Sequence, residues 1–185
     1  MTGMSPLAGL VLSGGFSTRM GRDKGALPWQ DGLLVHHQAR TLAMLVPQVY
    51  ISCRAEQKDD YSGPYPLIAD TYPPGGPMSG LLSAMDALPD HAWLVLSVDM
   101  PYIGAAALQW VINHRNTKKR ATVFRQPDGI VQPLVGIWEP QSFPVLLAAF
   151  NEQRYSLRRI LEEEDALILD SLPDTDWTNM NERSF

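Results

Sequence analysis

The chain has 185 residues, of which 45% are hydrophobic and 19% charged, which is typical of a soluble globular protein; we assign residues 1–185 to a single domain. The net charge of −5 argues against nucleic acid as a main partner, and no apolar run reaches the length of a membrane span. A single cysteine, Cys53, excludes an internal disulfide and fits a reducing, cytoplasmic location.

The first half of the chain alternates between short apolar runs and amphipathic segments. Strands are predicted at residues 7–12, 49–53, 67–69 and 93–98, and helices at residues 33–46, 79–88 and 105–115, with a short helix and turn within residues 54–62. This rhythm indicates a three-layer α/β/α fold with a mostly parallel, Rossmann-like sheet. The first apolar run lacks a preceding basic segment, so we interpret it as a core strand and not as a signal peptide.

The second half of the chain is less regular. A strand pair is predicted at residues 121–125 and 131–138, with Pro133 marking an edge or a bulge. Helices at 141–153 and 156–164 and a short strand at 167–169 follow. The sequence contains no internal repeat and no linker that would separate a second domain.

The segment LVLSGGFSTRMGRDKGA, from Leu10 to Ala26, carries the strongest chemical signal in the chain. A strand that breaks into a glycine-rich loop exposes backbone N–H groups, which bind phosphate. The cations of Arg19 and Lys24 would stabilise the charge of a reacting triphosphate, so we assign both a catalytic role. The predicted nucleotide-binding residues here are Leu12, Ser13, Gly14, Gly15, Ser17, Arg19 and Lys24.

The spacing of the glycines excludes two common phosphate loops. Five residues separate Gly15 from Gly21, and Arg22 follows, so the Walker pattern is not met. Gly14 and Gly15 are adjacent, which excludes the dinucleotide-binding pattern G-x-G-x-x-G. The alternative is a glycine-rich turn flanked by solvated charges, which would not require so long a segment or a basic cluster.

Two aspartates directly follow predicted strands. Because ligands bind beyond the carboxyl ends of parallel strands, Asp70 and Asp99 are placed at the edge where a nucleotide would bind. Asp99, in the segment LSVDMP, is suited to hold Mg²⁺, which needs only one or two carboxylates beside phosphate oxygens. For each aspartate the alternative is a capping or turn residue.

The glycine-rich loop resembles the signature of the molybdopterin nucleotidyltransferases, G-G-x-S-x-R-M-G-x-D-K, from Gly14 to Lys24. The double glycine is similar to the guanylyltransferase branch of that family. The resemblance implies that the terminal phosphate of molybdopterin attacks the α-phosphate of Mg–GTP, giving the guanine dinucleotide form of the molybdenum cofactor and pyrophosphate. It thereby implies Mg²⁺ as cofactor, GTP and molybdopterin as substrates, and a possible molybdoenzyme or insertion chaperone as partner.

The same resemblance assigns roles to residues outside the loop. It makes Asp99, in a D-x-P motif, the magnesium ligand, and it places Asp70 near the nucleotide and in support of the metal site. A G-P-x-x-G segment and an N-x-N segment are implied to lie toward the pterin. Their residues are Gly76, Gly80, Asn179 and Asn181. The alternatives are a proline-stiffened turn before a helix and a terminal turn.

Two arginines form a further candidate for substrate contact. Arg158 and Arg159 resemble an S-L-R-R segment of the family and are candidates to face the pterin phosphate. The alternative is that they form ion pairs with Glu162 and Glu163, four residues later on an exposed helix.

Two departures from the family pattern keep other functions open. Cys53 stands where the family usually has an asparagine near the guanine or ribose, and Glu182 and Arg183 replace the threonine and proline that follow the second asparagine. One alternative is a cytidylyltransferase, or a guanylyltransferase acting on another small phosphorylated acceptor. The other is a non-catalytic nucleotide- or cofactor-binding protein.

Overall fold

The computed structural model describes residues 4–13, 23–30, 32–170, 172 and 174–180. Its strands are β1 (Leu7–Leu12), β2 (Pro28–Trp29), β3 (Gly32–Leu33), β4 (Val49–Cys53), β5 (Leu67–Ala69), β6 (Ala92–Ser97), β7 (Ala121–Arg125), β8 (Val131–Trp138) and β9 (Ala166–Asp170). Its α-helices are α1 (Leu34–Ala43), α2 (Pro77–Ala87), α3 (Ala105–Asn113), α4 (Phe143–Asn151) and α5 (Leu157–Glu163). Two short 3₁₀ helices lie at Ala55–Gln57 and Pro140–Ser142.

Seven strands form one sheet in the order β5-β4-β1-β6-β8-β7-β9. β1 pairs in parallel with both β4 and β6, and β4 pairs in parallel with β5. β8 runs antiparallel to its neighbours β6 and β7, while β7 and β9 are parallel to each other. The predicted mostly parallel sheet is therefore confirmed.

Helices cover both faces of this sheet, as a sheet of buried apolar strands requires. Successive residues of β1 point to opposite faces: Val11 packs in the layer that contains α1 and α3, whereas Leu10 and Leu12 pack with α2, α4 and α5. The three-layer α/β/α prediction is confirmed. Within the described ranges, the helices are too short or too polar to cross a bilayer.

The structure differs from the predicted elements mainly at their ends. α2 begins at Pro77, two residues before the predicted start, because proline suits the first turn of a helix, where its missing N–H needs no partner. The β2–β3 hairpin was not predicted, since two-residue strands are too short to show an alternating pattern. At Pro133 the expected bulge is present: the register shifts where Val123 and Phe124 pair with β8.

A buried ion pair joins the segment after α3 to the end of β8. Arg115 donates from Nε to Glu139 Oε1 (2.6 Å) and from Nη2 to Glu139 Oε2 (2.9 Å) and the Ser5 carbonyl (3.0 Å). The two side chains are 6% and 1% exposed. Because the carboxylate is enclosed, its charge depends on the guanidinium for compensation.

We expect Arg115→Met to lower the free energy of unfolding by about 3–5 kcal/mol, because it leaves the Glu139 carboxylate buried without a counter-charge. Replacing both partners, with Arg115→Met and Glu139→Leu, should restore most of this loss. Urea denaturation of the three proteins measures the difference. A double variant no more stable than the single one would show that the uncompensated charge is not the cause.

Candidate functional site at the carboxyl edge of the sheet

The register of three central strands brings the candidate residues to one edge of the sheet. Leu12, the last residue of β1, stands opposite Ser52 of β4 on one side and Ser97 of β6 on the other. Ser13 and Asp99, which leave β1 and β6, therefore emerge at about the same level. The expected convergence of strand ends is present.

The glycine-rich loop leaves the sheet at Ser13, whose hydroxyl donates to the Ser52 carbonyl (2.6 Å). Leu12 and Ser13 are 4% and 5% exposed, so both side chains are enclosed. Residues 14–22 lie outside the described residues. The predicted phosphate contacts of Gly14, Gly15, Ser17 and Arg19 therefore stay predictions.

The loop rejoins the described structure at Asp23, which is anchored by three donors. Its carboxylate accepts from the Tyr61 hydroxyl (2.7 Å), the Gln57 side-chain amide (2.7 Å) and the Gly25 backbone N–H (3.0 Å). A Cβ at Gly25 would stand 2.2 Å from the Tyr61 oxygen, so the close contact requires glycine. This network fixes the backbone on both sides of the half-buried Lys24.

Tyr61 and Gln57 are enclosed beside Asp23, at 0% and 3% exposure. Burial raises the pKa of Tyr61 well above its ordinary value; the Ser13 hydroxyl partly offsets this, and the Asp23 carboxylate raises the pKa further. The phenol therefore stays protonated and keeps donating to Asp23. Asp23 has a structural task here, which its place in the motif did not reveal.

Asp99, the predicted magnesium ligand, is half-buried and receives a hydrogen bond on each carboxylate oxygen. Ser97 Oγ donates to Oδ1 (2.6 Å), and Asn179 Nδ2 donates to Oδ2 (3.0 Å). The Met180 N–H donates to the Asp99 carbonyl (2.9 Å), which ties the C-terminal segment to this edge. Asn181 lies beyond the described residues, so its predicted pterin contact stays a prediction.

The environment of Asp99 fits a magnesium ion. A carboxylate offers about four lone-pair positions, and the two donors leave positions open on both oxygens. Mg²⁺ takes hard oxygen ligands and is usually bound by one or two carboxylates together with substrate phosphates and water. Among the residues described, no group of three or more metal-ligating side chains occurs.

Asp70 occupies a different point on the same edge. It follows β5, and both β4 and β1 stand between β5 and β6. Asp70 lines a cavity at the ends of β4 and β5, and its predicted support of the metal site stays a prediction.

That cavity, of about 260 Å³, opens at the ends of β4 and β5 and is lined by Arg54, Glu56, Asp70 and Tyr72 among others. Ser52 Oγ donates to Asp70 Oδ1 (3.0 Å), and Arg54 Nε donates to Glu56 (2.6 Å). Burial raises the pKa of Asp70, an effect that the Ser52 hydrogen bond and the Arg54 charge oppose. The cavity thus offers a carboxylate acceptor, guanidinium donors and an aromatic ring.

The two glycines at the start of α2 have different tasks. Gly76 caps the helix with φ of +65°, a conformation that favours glycine, and it lines the cavity beside Asp70. Gly80 is buried in the first turn, where a Cβ would stand 2.2 Å from Ser52 Oγ and 2.9 Å from Leu12 Cδ2. This glycine therefore lets α2 pack closely on the sheet, and its predicted substrate contact stays a prediction.

A second cavity, of about 540 Å³, lies on the other side of the α2 N-terminus. Pro77 lines it, together with residues 132–134 of β8 and 155–159 around the start of α5. Val135 pairs with Leu96 of β6, so residues 132–134 run alongside the end of β6, from which Asp99 emerges. The second cavity therefore opens at the same edge as the first.

Arg158 and Arg159 are exposed and line the second cavity. The alternative ion pairs with Glu162 and Glu163 do not form within the described part of the chain. Glu163 pairs with Arg154 instead (2.9 Å). Arg158 and Arg159 thus line the cavity without an ion pair to Glu162 or Glu163 in the described structure, and Glu162 lines the same cavity.

Comparison with known proteins decides the family. The model of the MobA-like NTP transferase domain matches residues 9–167, most of the chain. The chain belongs to this family. A molybdenum cofactor guanylyltransferase of Pseudomonas putida is 30% identical over 166 residues, which cover 87% of this chain and 85% of that protein.

Two further proteins are similar to this MobA-like domain. A molybdenum cofactor biosynthesis bifunctional protein of Synechocystis is 30% identical over 89% of this chain, and the chain spans about half (48%) of that protein's length. The crystal structure of molybdopterin-guanine dinucleotide biosynthesis protein A from Archaeoglobus fulgidus has a TM-score of 0.74 at 17% identity and covers 88% of this chain and 83% of that one. The latter likeness shows a shared fold.

Several residues of the MobA-like site were missed by sequence reasoning. Ser52, Gln57, Tyr61 and Ser97 are all buried and all bond to a predicted site residue or to the loop's anchor. Ser52 and Ser97 could have been found, because each is a polar residue at the end of an apolar strand. Gln57 and Tyr61 lie in a polar connecting segment, and Asp23, to which both donate, is too far away in the sequence for the contact to be inferred.

Removal of the Tyr61 hydroxyl should loosen the anchored end of the loop. We expect Tyr61→Phe to lower the free energy of unfolding by about 1.5–3 kcal/mol, because a hydrogen bond to a charged group is lost. GTP affinity should fall with it, because Lys24 follows the anchor directly. Tyr65→Phe, which removes a hydroxyl outside this network, is the matched control for urea denaturation and nucleotide titration. Equal effects of the two substitutions would contradict the anchoring role.

Neutralising Asp70 should stabilise the protein at neutral pH. Because the folded-state pKa is raised above the ordinary 3.8, the wild-type carboxyl contributes stability below that value and loses it as pH rises through the raised pKa. Asp70→Asn cannot ionise and still accepts from Ser52. Its melting temperature should therefore match the wild type at pH below 3.8 and exceed it at pH 7. A lower melting temperature at pH 7 would show that burial does not penalise this carboxylate.

Proposed function

We propose that this protein is a molybdenum cofactor guanylyltransferase, which transfers GMP from Mg–GTP to the phosphate of molybdopterin and releases pyrophosphate. The observation that carries the proposal is the Asp99 carboxylate, oriented by Ser97 and Asn179 at the edge where an anchored phosphate-loop signature begins. The names of the relatives support the same reaction. The reaction takes place in the cytoplasm, and a molybdoenzyme or insertion chaperone receives the product.

The transfer requires stabilisation of negative charge more than acid–base chemistry. A phosphate oxygen of molybdopterin forms a bond to the α-phosphorus of GTP while the bond from that phosphorus to the bridging oxygen breaks. The electron pair leaves with pyrophosphate, so charge builds on the α-phosphoryl oxygens and on the leaving group. Arg19 grips phosphate oxygens through two N–H groups, and Lys24 acts as a point charge on a backbone that Asp23 fixes.

Asp99 would hold the magnesium ion. When bound, Mg²⁺ supplies charge neutralisation and orientation of the triphosphate. Ser97 and Asn179 keep the carboxylate in one orientation through these hydrogen bonds. Asp70, about three strand spacings away, serves the nucleoside end of the substrate.

The cavity beside Asp70 favours guanine as the base. Guanine presents N–H donors on one edge, which suit a carboxylate, and the O6 and N7 acceptors on another, which suit an arginine. Asp70 and Arg54 supply this pair within one cavity, and Tyr72 adds an aromatic wall. Cytosine presents its N4–H₂ donor and its N3 and O2 acceptors along a single edge, so it lacks the separate donor and acceptor edges of guanine. Arg54 thus provides the donors that Cys53 cannot.

Cys53 itself takes no part in the chemistry. Its side chain is fully buried, and burial together with the Asp70 charge raises the pKa of the thiol to about 11. The thiol is therefore neutral at physiological pH and is not a nucleophile.

The second cavity is the proposed place for molybdopterin. Arg158 and Arg159 provide positive charge for an acidic group of the acceptor, and residues 132–134 lead from this cavity toward Asp99. Asn179 would lie between the acceptor and the metal-binding carboxylate. The α2 N-terminus separates the two cavities, so each substrate has its own compartment at the edge.

The test is pyrophosphate release from Mg–GTP and Mg–CTP in the presence of molybdenum-loaded molybdopterin. We expect release with GTP and at least a hundredfold lower kcat for Asp99→Asn, which keeps the shape of the side chain but removes its charge. Asp128→Asn, in the exposed turn between β7 and β8, is the matched control and should retain full activity.

Each of the other outcomes would indicate a different function for this protein. Release with CTP alone would establish the cytidylyltransferase activity. Release with GTP that requires a different phosphorylated acceptor would keep the enzyme and change its substrate. Nucleotide binding without release would establish a binding protein that uses the loop to hold its ligand.

A further inference from the structure

A glutamine is buried on the apolar face of α1. Gln38 is 0% exposed and lies one helical turn from Leu34 and Leu42, both of which are also fully buried. An enclosed primary amide costs free energy unless its donors and acceptor find partners. Its position in the core therefore calls for a physical reason.

The side-chain amide of Gln38 spans the turn that carries Asp99. Its nitrogen donates to the carbonyl of Ser97 (2.8 Å) and to the carbonyl of Met100 (3.0 Å). Only the NH₂ group can donate to two carbonyl oxygens, so the orientation of the amide follows from its partners. The Gln38 Oε1 atom is buried and has no hydrogen-bond partner among the residues described.

These two bonds restrain the carboxylate through the turn. The Ser97 carbonyl also accepts from the Met100 N–H (3.3 Å), which closes the turn around Asp99. Ser97 Oγ in turn donates to Asp99 Oδ1. A displacement of the Ser97 backbone would therefore move the group that orients the carboxylate.

We propose that Gln38 is a positioning residue for the metal-binding carboxylate: by holding the carbonyls on both sides of Asp99, it keeps that side chain in one orientation toward the cation. This inference rests on the proposed role of Asp99. Partners that orient a metal ligand from behind typically change metal affinity by ten- to hundredfold when they are replaced.

The hydrogen bonds of Gln38 allow its positioning role to be distinguished from a contribution to stability. An apolar residue in its place loses two hydrogen bonds but also removes the buried oxygen that has no partner in the described structure. These changes oppose each other, so stability should change little. The restraint on the turn, by contrast, is lost without compensation.

The test uses Mn²⁺, which is visible by electron paramagnetic resonance, as the probe for the cation site. Titration of Mn²⁺ into the protein with GTP should show ten- to hundredfold weaker binding for Gln38→Leu than for the wild type. Gln38→Met, unbranched and flexible, should show the same loss and serves if the leucine variant does not fold. Thermal unfolding without metal or nucleotide should differ little between the three proteins.

Thr41→Val is the matched control. Thr41 is buried on the same helix, but its hydroxyl donates to the His37 carbonyl within that helix (3.2 Å) and not to the turn. Mn²⁺ affinity should therefore be unchanged in this variant. An equal loss in Thr41→Val would overturn the proposal, since any disturbance of α1 would then have the same effect.

Asp99→Asn separates failure of this inference from failure of the proposed function. If Asp99→Asn weakens Mn²⁺ binding and both Gln38 variants bind like the wild type, the positioning role is wrong and the metal ligand stands. If Asp99→Asn leaves Mn²⁺ binding unchanged, the metal site itself is wrong and the inference falls with it.

Discussion

The parallel pairing of β1 with β4 and β6 is the constraint on which the rest of the structure depends. Leu12 stands opposite Ser52 and Ser97, so three chain segments leave the sheet side by side. Each segment then needs only one or two residues to place a polar group at the shared edge. The apolar strands beneath are covered on both faces by helices, which makes this edge a rigid platform.

The platform is built from polar groups that a core ordinarily excludes. Five polar residues are buried here: Ser13, Ser52, Ser97, Gln38 and Gln57. Four of them donate a hydrogen bond to another segment of the chain, and Ser97 donates to Asp99 in the turn that follows it. These bonds offset the cost of burial and remove alternative side-chain orientations. For Asp70 the hydrogen bond does not offset the cost of burial, because burial raises the pKa of its carboxyl group. A carboxylate that is costly to ionise suits a ligand cavity better than a stable core.

Two cavities lie at this edge, and the proposed function assigns one to each substrate. Both adjoin the start of α2, one through Gly76 and the other through Pro77. The first is lined by a carboxylate and a guanidinium group, whereas the second is lined by the exposed Arg158 and Arg159. Asp99 emerges from β6, next to the strand that lines the second cavity.

The sequence by itself determined the longer strands, their alternation with helices and the presence of a phosphate-loop signature, because apolar runs and glycine spacing are local signals. It also placed Asp70 and Asp99 at the carboxyl edge, but only the strand order put β4 and β1 between them. Tyr61 anchors Asp23, which lies 38 positions earlier in the sequence. Gln38 bonds to the turn around Asp99, about 60 positions later. Such contacts produce no periodic pattern in the sequence, since they arise only when the packed helices and strands bring distant polar groups together.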